Sequence, residues 1–272
     1  MRRTPALIAT GLLSGCTSTF NEPAVSVSPY YAVYQLRGKT SMQSAPTTPG
    51  GPLQDNPAQR LQVFGQDRHR DDVGVRADVG DGFAGVRADY YRLDMGTTRT
   101  GVLGADWGNL LTNDLAQIKA QMDEIRVGWV EPLLDVHRDW REHPLRLRIA
   151  AGGVYAYRSM ELRGRTGDGA RLQNASITGD AVYGALRARA EWRDFAVDLE
   201  YAVSPNLVLT GDYDGVLQDI EARASYRLPQ RDMRFFAGFR YSKLPSNGRA
   251  DGFHYDADLI IDGFQLGFTL NF

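Results

Sequence analysis

Apolar and polar residues alternate with a period of two through most of the chain after about residue 60, which predicts β-strands rather than helices. Val73, Val75, Ala77 and Val79 share one face, opposed by Arg76 and Asp78, and Gly80-Asp81-Gly82 then supplies a tight turn. The returning strand sets Ala84, Val86, Ala88 and Tyr90 against Arg87 and Asp89. A strand near 122–134 follows, with Ile125, Val127 and Trp129 opposing Glu124 and Arg126, and the next runs through Leu145, Leu147, Ile149, Tyr155 and Tyr157. The second half repeats the rule at 182–192, 195–203, 220–228, 233–241 and 264–272, where arginines and carboxylates again hold one parity.

The links between these segments alternate in length. Those at 80–82, 193–194 and 229–232 are short, whereas those near 96–120, 164–177, 205–215 and 245–255 are longer and rich in Gly, Asp and Asn. Short turns on one rim and long loops on the other are the asymmetry of a transmembrane barrel, with the short turns periplasmic. Closing the ring requires one more strand before residue 71, for which Arg60 to Gln66 is the nearby segment. The fold class expected is therefore all-β, an antiparallel transmembrane up-and-down β-barrel over residues 59–272 with about ten strands, eight being the alternative.

The amino-terminal part reads differently. Arg2 and Arg3 precede a short apolar run, Ala6 to Leu13, and Leu13-Ser14-Gly15-Cys16 then places two small residues before a cysteine. This pattern resembles a bacterial lipoprotein signal over 1–15, which implies that Cys16 becomes the acylated first residue of the mature chain. Residues 16–58 are rich in Pro, Ser, Thr and Gly and read as a flexible tether, interrupted by the apolar patch Tyr30-Tyr31-Ala32-Val33-Tyr34.

The other end carries a second resemblance. Phe264, Leu266, Phe268, Leu270 and Phe272 alternate with polar or small residues and stop on an aromatic residue. The segment resembles the closing strand of bacterial outer-membrane β-barrels, which implies recognition by the barrel-assembly machinery and residence in a Gram-negative outer membrane among its lipids. Tyr90, Trp129, Tyr155, Trp192, Tyr201, Tyr226, Tyr241 and Phe272 stand near strand ends, as interfacial girdles do. With the apolar parity outward, the Arg, Asp and Glu parity lines the lumen, and long arginines crossing a narrow barrel plug it. The opposite polarity, an apolar lumen with a charged exterior, describes a soluble periplasmic lipocalin-like lipoprotein and remains the alternative.

Composition removes several classes. The 272 residues carry 31 Lys and Arg against 33 Asp and Glu, a net charge of -2, so no nucleic-acid footprint exists. Cys16 is the only cysteine, which leaves no intramolecular disulfide and no cysteine-based metal cage. No hydrolase, zinc-protease, phosphate-loop or dinucleotide motif occurs, and no cofactor is expected. His69 with Asp71 and Asp72 in the first outer loop, and His254 in the last, form the one candidate metal cluster, because ring closure makes those loops neighbours. The same inventory resembles that of omptin proteases, and Ser242 and Ser246 near His254 are the corresponding candidates for a lipid-modifying acyl enzyme. The reading reached from sequence is non-enzymatic: a structural or interaction barrel whose outer loops at 96–120 and 164–177 meet envelope or extracellular partners.

Overall fold

A computed structural model of the chain describes residues 24–65, 70–96, 99–141, 143–205, 207–229 and 232–272. Ten strands form the wall: β1 (Ala24–Met42), β2 (Arg70–Gly80), β3 (Gly85–Met95), β4 (Leu115–Trp140), β5 (His143–Thr166), β6 (Leu172–Trp192), β7 (Phe195–Pro205), β8 (Val216–Arg227), β9 (Met233–Ala250) and β10 (Phe253–Asn271). Each pairs antiparallel with the next, and β10 pairs with β1, so the ring closes through its lower half, while β6 and β9 run on above the shorter β7 and β8. Closure satisfies the backbone N–H and C=O groups within the ring, which hydrocarbon requires of any strand that crosses it. Among the described residues no helix is long and apolar enough to cross a membrane.

The register fixes the geometry. Paired residues can be followed around the ring from Gly80 through Gly85, Val130, Gly152, Ala185, Ala202, Asp219, Ser242 and Ile261 to Leu36. Leu36 lies twelve residues beyond Ala24, the residue of β1 that pairs with Gly80. A stagger of twelve residues over ten strands tilts the strands by about 40° to the axis, the usual value for a membrane barrel.

The first strand corrects the sequence reading. Residues 24–42, assigned to a tether, form a long strand paired on both sides, whereas Leu61–Phe64, inside the segment expected to close the ring, is a 3-10 helix. The cause is Tyr30 to Tyr34, where both parities are apolar or aromatic. Tyr31 and Val33 face outward, while Tyr30, Ala32 and Tyr34 are buried inside. The alternation is present but masked. The inward side can hold bulk because its neighbours are small: a side chain on Gly74 of β2 would strike the Tyr30 ring.

Polarity along the strands reverses partway up. On β4 the outward positions Ile125, Val127 and Trp129 are apolar, but Lys119, Gln121 and Asp123 above them are polar. The inward positions do the opposite, changing from Arg126 and Glu124 to Met122, Ala120 and Ile118. On β5 the outward change falls between Tyr157 and Glu161, on β6 between Val182 and Asp180, and on β10 between Phe264 and Asp262. These points shift from strand to strand with the stagger, so they lie close to one plane across the barrel. Below it the chain is built like a membrane barrel, with apolar wall and charged lumen; above it, like a soluble barrel, with charged wall and apolar core.

Tyrosines mark that plane on the outside. The Tyr90 hydroxyl donates to Asp123 at 3.1 Å and that of Tyr155 to Asp180 at 3.0 Å, each reaching from the apolar belt to a carboxylate on the neighbouring strand. Such rings with one wet end suit the level of lipid headgroups. The short turns and both strand ends β1 and β10 lie at the opposite rim, where Trp129, Trp140, Trp192, Phe195 and Tyr226 gather, with Phe195 and Tyr226 rings 4.8 Å apart.

If the belt below the plane faces lipid, an arginine there must be costly and one above it harmless. Leu266→Arg is expected to destabilise the barrel by about 2–4 kcal/mol, while Asp258→Arg on the same face of β10 stays within about 0.5 kcal/mol. Urea unfolding in phospholipid vesicles reads both.

Candidate functional site

The lumen of the lower half holds a continuous lattice of guanidinium and carboxylate groups. Alternation places Arg76 and Asp78 of β2, Arg87 and Asp89 of β3, and Glu124 and Arg126 of β4 on the inner wall. From the far side come Arg158 of β5, Arg187 of β6, Glu200 of β7, Asp219 and Glu221 of β8, and Arg240 of β9. Six arginines thus meet six carboxylates in this set, which leaves it with no net charge.

Geometry within the lattice is close. Arg76 spans the barrel, donating to Asp89 and to Glu221, each at 2.7 Å through Nη2. Glu124 is fully buried and accepts from Arg158 Nε, from Arg240 Nη2 at 2.5 Å and from the Tyr91 hydroxyl at 3.1 Å. Asp219 accepts from Arg240 at 2.9 Å, Arg158 at 3.2 Å and the Ser242 hydroxyl at 3.1 Å. Arg126 links this group to Glu200, which also accepts from Arg187 at 2.6 Å and Arg87 at 3.0 Å. Two gaps within it measure about 10 Å³ and about 20 Å³, about one water each.

Two further devices close the ends. At the long-loop rim, parts of 43–65 and 99–114 cover the upper lumen, burying Leu61, Phe64, Leu103, Trp107 and Leu110. The Trp107 ring meets Phe64 edge-on at 5.5 Å between centroids, its indole N–H donates to Thr40 at 3.3 Å, and Gly164 leaves the space it fills. Gln59 ties the two loops, donating to the Ala105 carbonyl and accepting from the Gly104 and Ala105 amides. At the short-turn rim the β2–β3 turn tucks inward, with Phe83 buried between the guanidinium groups of Arg148 and Arg189. Below it opens a polar vestibule of about 440 Å³.

The described members of the predicted metal cluster, Asp71, Asp72 and His254, do not come together. His69, like Cys16, lies outside the described residues. Asp71 and Asp72 pair with Val33 and Ala32 of β1, whereas His254 exchanges hydrogen bonds with Gln43, ten residues and about 33 Å along that strand. Among the described residues no group of three or more His, Cys, Asp or Glu is arranged to hold a metal ion. Ser242 and Ser246 point into the barrel, toward Asp219 and the Ala257 carbonyl, while His254 is exposed on the outward parity. They make no acyl-transfer pair with it.

The expected interaction loops are also shorter than the sequence indicated. Of 164–177 only residues 167–171 lie between strands, and Asp168 caps that turn, accepting from Thr166 Oγ1 at 2.5 Å and the Ala170 amide at 3.0 Å. These bonds hold its carboxyl below the usual carboxylate range. Within 99–114 the apolar residues Leu103, Trp107 and Leu110 turn inward, and β9 and β10 are joined by Asp251 and Gly252 alone. Phe264, Leu266, Phe268 and Leu270 all face outward on the closing strand, and Phe272, just past it, is highly exposed. Sequence reasoning identified the arginine and carboxylate parity but not the apolar upper plug, whose only signal was Trp107, Leu110 and Phe64 inside segments rich in turn residues.

No protein-family model matches the sequence, and no curated protein matches it. Solved structures to which the chain is similar include Ail, the attachment invasion locus protein of Yersinia pestis, at 9% identity and a TM-score of 0.32 over 90% of this chain and 99% of that one. A Pseudomonas aeruginosa FadL homologue is 10% identical with a TM-score of 0.30, covering 93% and 90% of the two chains. The toluene transporter TodX of Pseudomonas putida is 8% identical with a TM-score of 0.29, covering 92% and 90%. Likeness at these values carries no argument about role; the fold rests on strand register and on the polarity of the wall.

Removing one member of a buried charge lattice strands its partners. Glu124→Ala leaves Arg158 and Arg240 short of a counter-charge and is expected to cost about 3–5 kcal/mol, far more than Ile125→Ala beside it on the lipid face; equilibrium unfolding compares the two.

Proposed function

We propose that this protein is a non-conducting, non-enzymatic barrel of a Gram-negative outer membrane, with a structural or interaction role. The observation that carries the reading is the filling of the lumen by the described residues: a charge lattice lies below the headgroup plane and an apolar plug above it. The outer-membrane location is supported by closure, by the apolar belt and by the rim asymmetry of the turns. The outward row Phe264 to Phe272 supplies the aromatic end expected of a strand handled by the assembly machinery.

An acylated Cys16 fits this placement. β1 begins at the short-turn rim eight residues later, within about 28 Å of chain. The lipid would enter the periplasmic leaflet beside the barrel. The surface available to partners is the polar wall above the belt, where Lys119, Gln121, Glu161, Arg163, Asp256 and Asp258 face outward. Contact by that wall replaces the long projecting loops expected at 96–120 and 164–177.

Fractionated membranes, run on gels with and without boiling, test location and fold together, with a Cys16→Ala variant alongside. A heat-modifiable band in the outer fraction is expected for both, with acyl labelling only of the parent, and planar bilayers should record no conductance steps. A soluble band indifferent to heat would contradict the reading, and so would stepwise conductance.

A further inference from the structure

The vestibule below Phe83 contains an arrangement that the fold does not need. Arg227 and Arg234 end β8 and begin β9 in direct register, on the inward parity of both strands. Like charges placed opposite one another across a strand pair are destabilising. Among the described residues, neither guanidinium forms an ion pair or a hydrogen bond with a carboxylate.

The groups around them do not offset this. Arg189 and Arg227 repel the Arg234 charge, while Glu191 and Asp198 attract it. Both of those carboxylates are already engaged: Asp198 accepts from Arg189 at 2.5 Å, and Glu191 is shared between Arg189 at 3.5 Å and Arg146 at 3.9 Å. The other arginines of the lining have carboxylate partners, Arg146 and Arg148 in Asp135 and Arg223 in Glu221, which leaves Arg227 and Arg234 as the pair without one among the described residues. Hydroxyls of Ser26 and Ser225 stand in the same lining. The carboxylate of Asp232 also belongs to the lining and weakens the positive field there.

We propose that this vestibule, open at the short-turn rim, binds a small anion bearing phosphate oxygens, held between Arg227 and Arg234. Two adjacent guanidinium forks match phosphate geometry, because each presents paired N–H donors to two oxygens. A cavity of about 440 Å³ admits more than a bare phosphate and falls within the usual range for small-molecule sites. The phosphate can belong to a soluble ester or to an anionic lipid headgroup at the rim. The inference needs only the barrel and is independent of the interaction role proposed above.

The test is calorimetric titration of the full chain in nonionic detergent with sodium pyrophosphate as probe. It compares the parent, the double variant Arg227→Ser/Arg234→Ser, and Arg249→Ser, an outward residue at the other rim. Saturable one-to-one binding is expected for the parent and for Arg249→Ser, with at least a tenfold loss in the double variant. Without ligand the double variant should unfold at the same temperature as the parent or higher, since a repulsive pair is gone; pyrophosphate should raise the unfolding temperature of the parent only. Absence of saturable binding to the parent would overturn the proposal, as would undiminished binding by the double variant. A lower unfolding temperature of the ligand-free double variant would also overturn it, by showing the pair to be structural. Where binding is seen, displacement by added phosphatidylglycerol assigns the site to a lipid headgroup, and resistance to it assigns a soluble phosphate.

Discussion

Buried charge sets the terms for this molecule. In its middle a ten-stranded ring leaves a lumen too narrow for bulk water and too polar on its inner parity for an apolar filling, so each guanidinium buried there must find a carboxylate within the ring. The lattice does this across strands distant in sequence: Arg76 bonds Glu221, and Arg240 bonds Glu124. Because these links cross the barrel rather than follow the sheet, they fix its cross-section as well as its register. Loss of one strand would strand charges on several others. The strand count and the ion-pair pattern therefore specify one another.

The polarity reversal follows from the same constraint. Strands that extend beyond the hydrocarbon no longer need an apolar exterior, and their interior no longer needs to be charged. Above the Tyr–Asp level the chain adopts the cheaper solution of a soluble barrel, filled by methionine, leucine and aromatic side chains. Tyrosines join the two regimes on the inside as well. Tyr30, Tyr91 and Tyr183 place their rings among apolar neighbours and their hydroxyls against Asp89, Glu124 and Arg158. A side chain with an apolar body and a polar tip is the natural one for that layer.

Much of this was legible in the sequence where alternation is clean. Nine of the ten strands and the inward charge parity follow from period-two patterning, and the short turns from Gly, Asp and Pro. What failed has identifiable physical causes. β1 is not legible because its inward side carries Tyr30, Ala32 and Tyr34, so both faces read as apolar. The loops at 164–177 and 245–255 were drawn too long because polar outward residues above the membrane plane look like loop composition, although the strands continue through them. The metal cluster assumed that neighbouring loops lie at one height, whereas Asp71 and His254 are separated along β1 by the length of the upper barrel. Period and parity are local properties; height above the membrane is set by the stagger of the whole ring.

The most direct test of the account is a scan of single nitroxide labels at outward positions 119, 121, 123, 125, 127 and 129 of β4, in a Cys16→Ala background reconstituted into vesicles. Collision with oxygen and with a water-soluble nickel chelate is measured at each. The account predicts a single exchange between residues 123 and 125, water above and lipid below. Uniform lipid contact along all six, or uniform water contact, would contradict it.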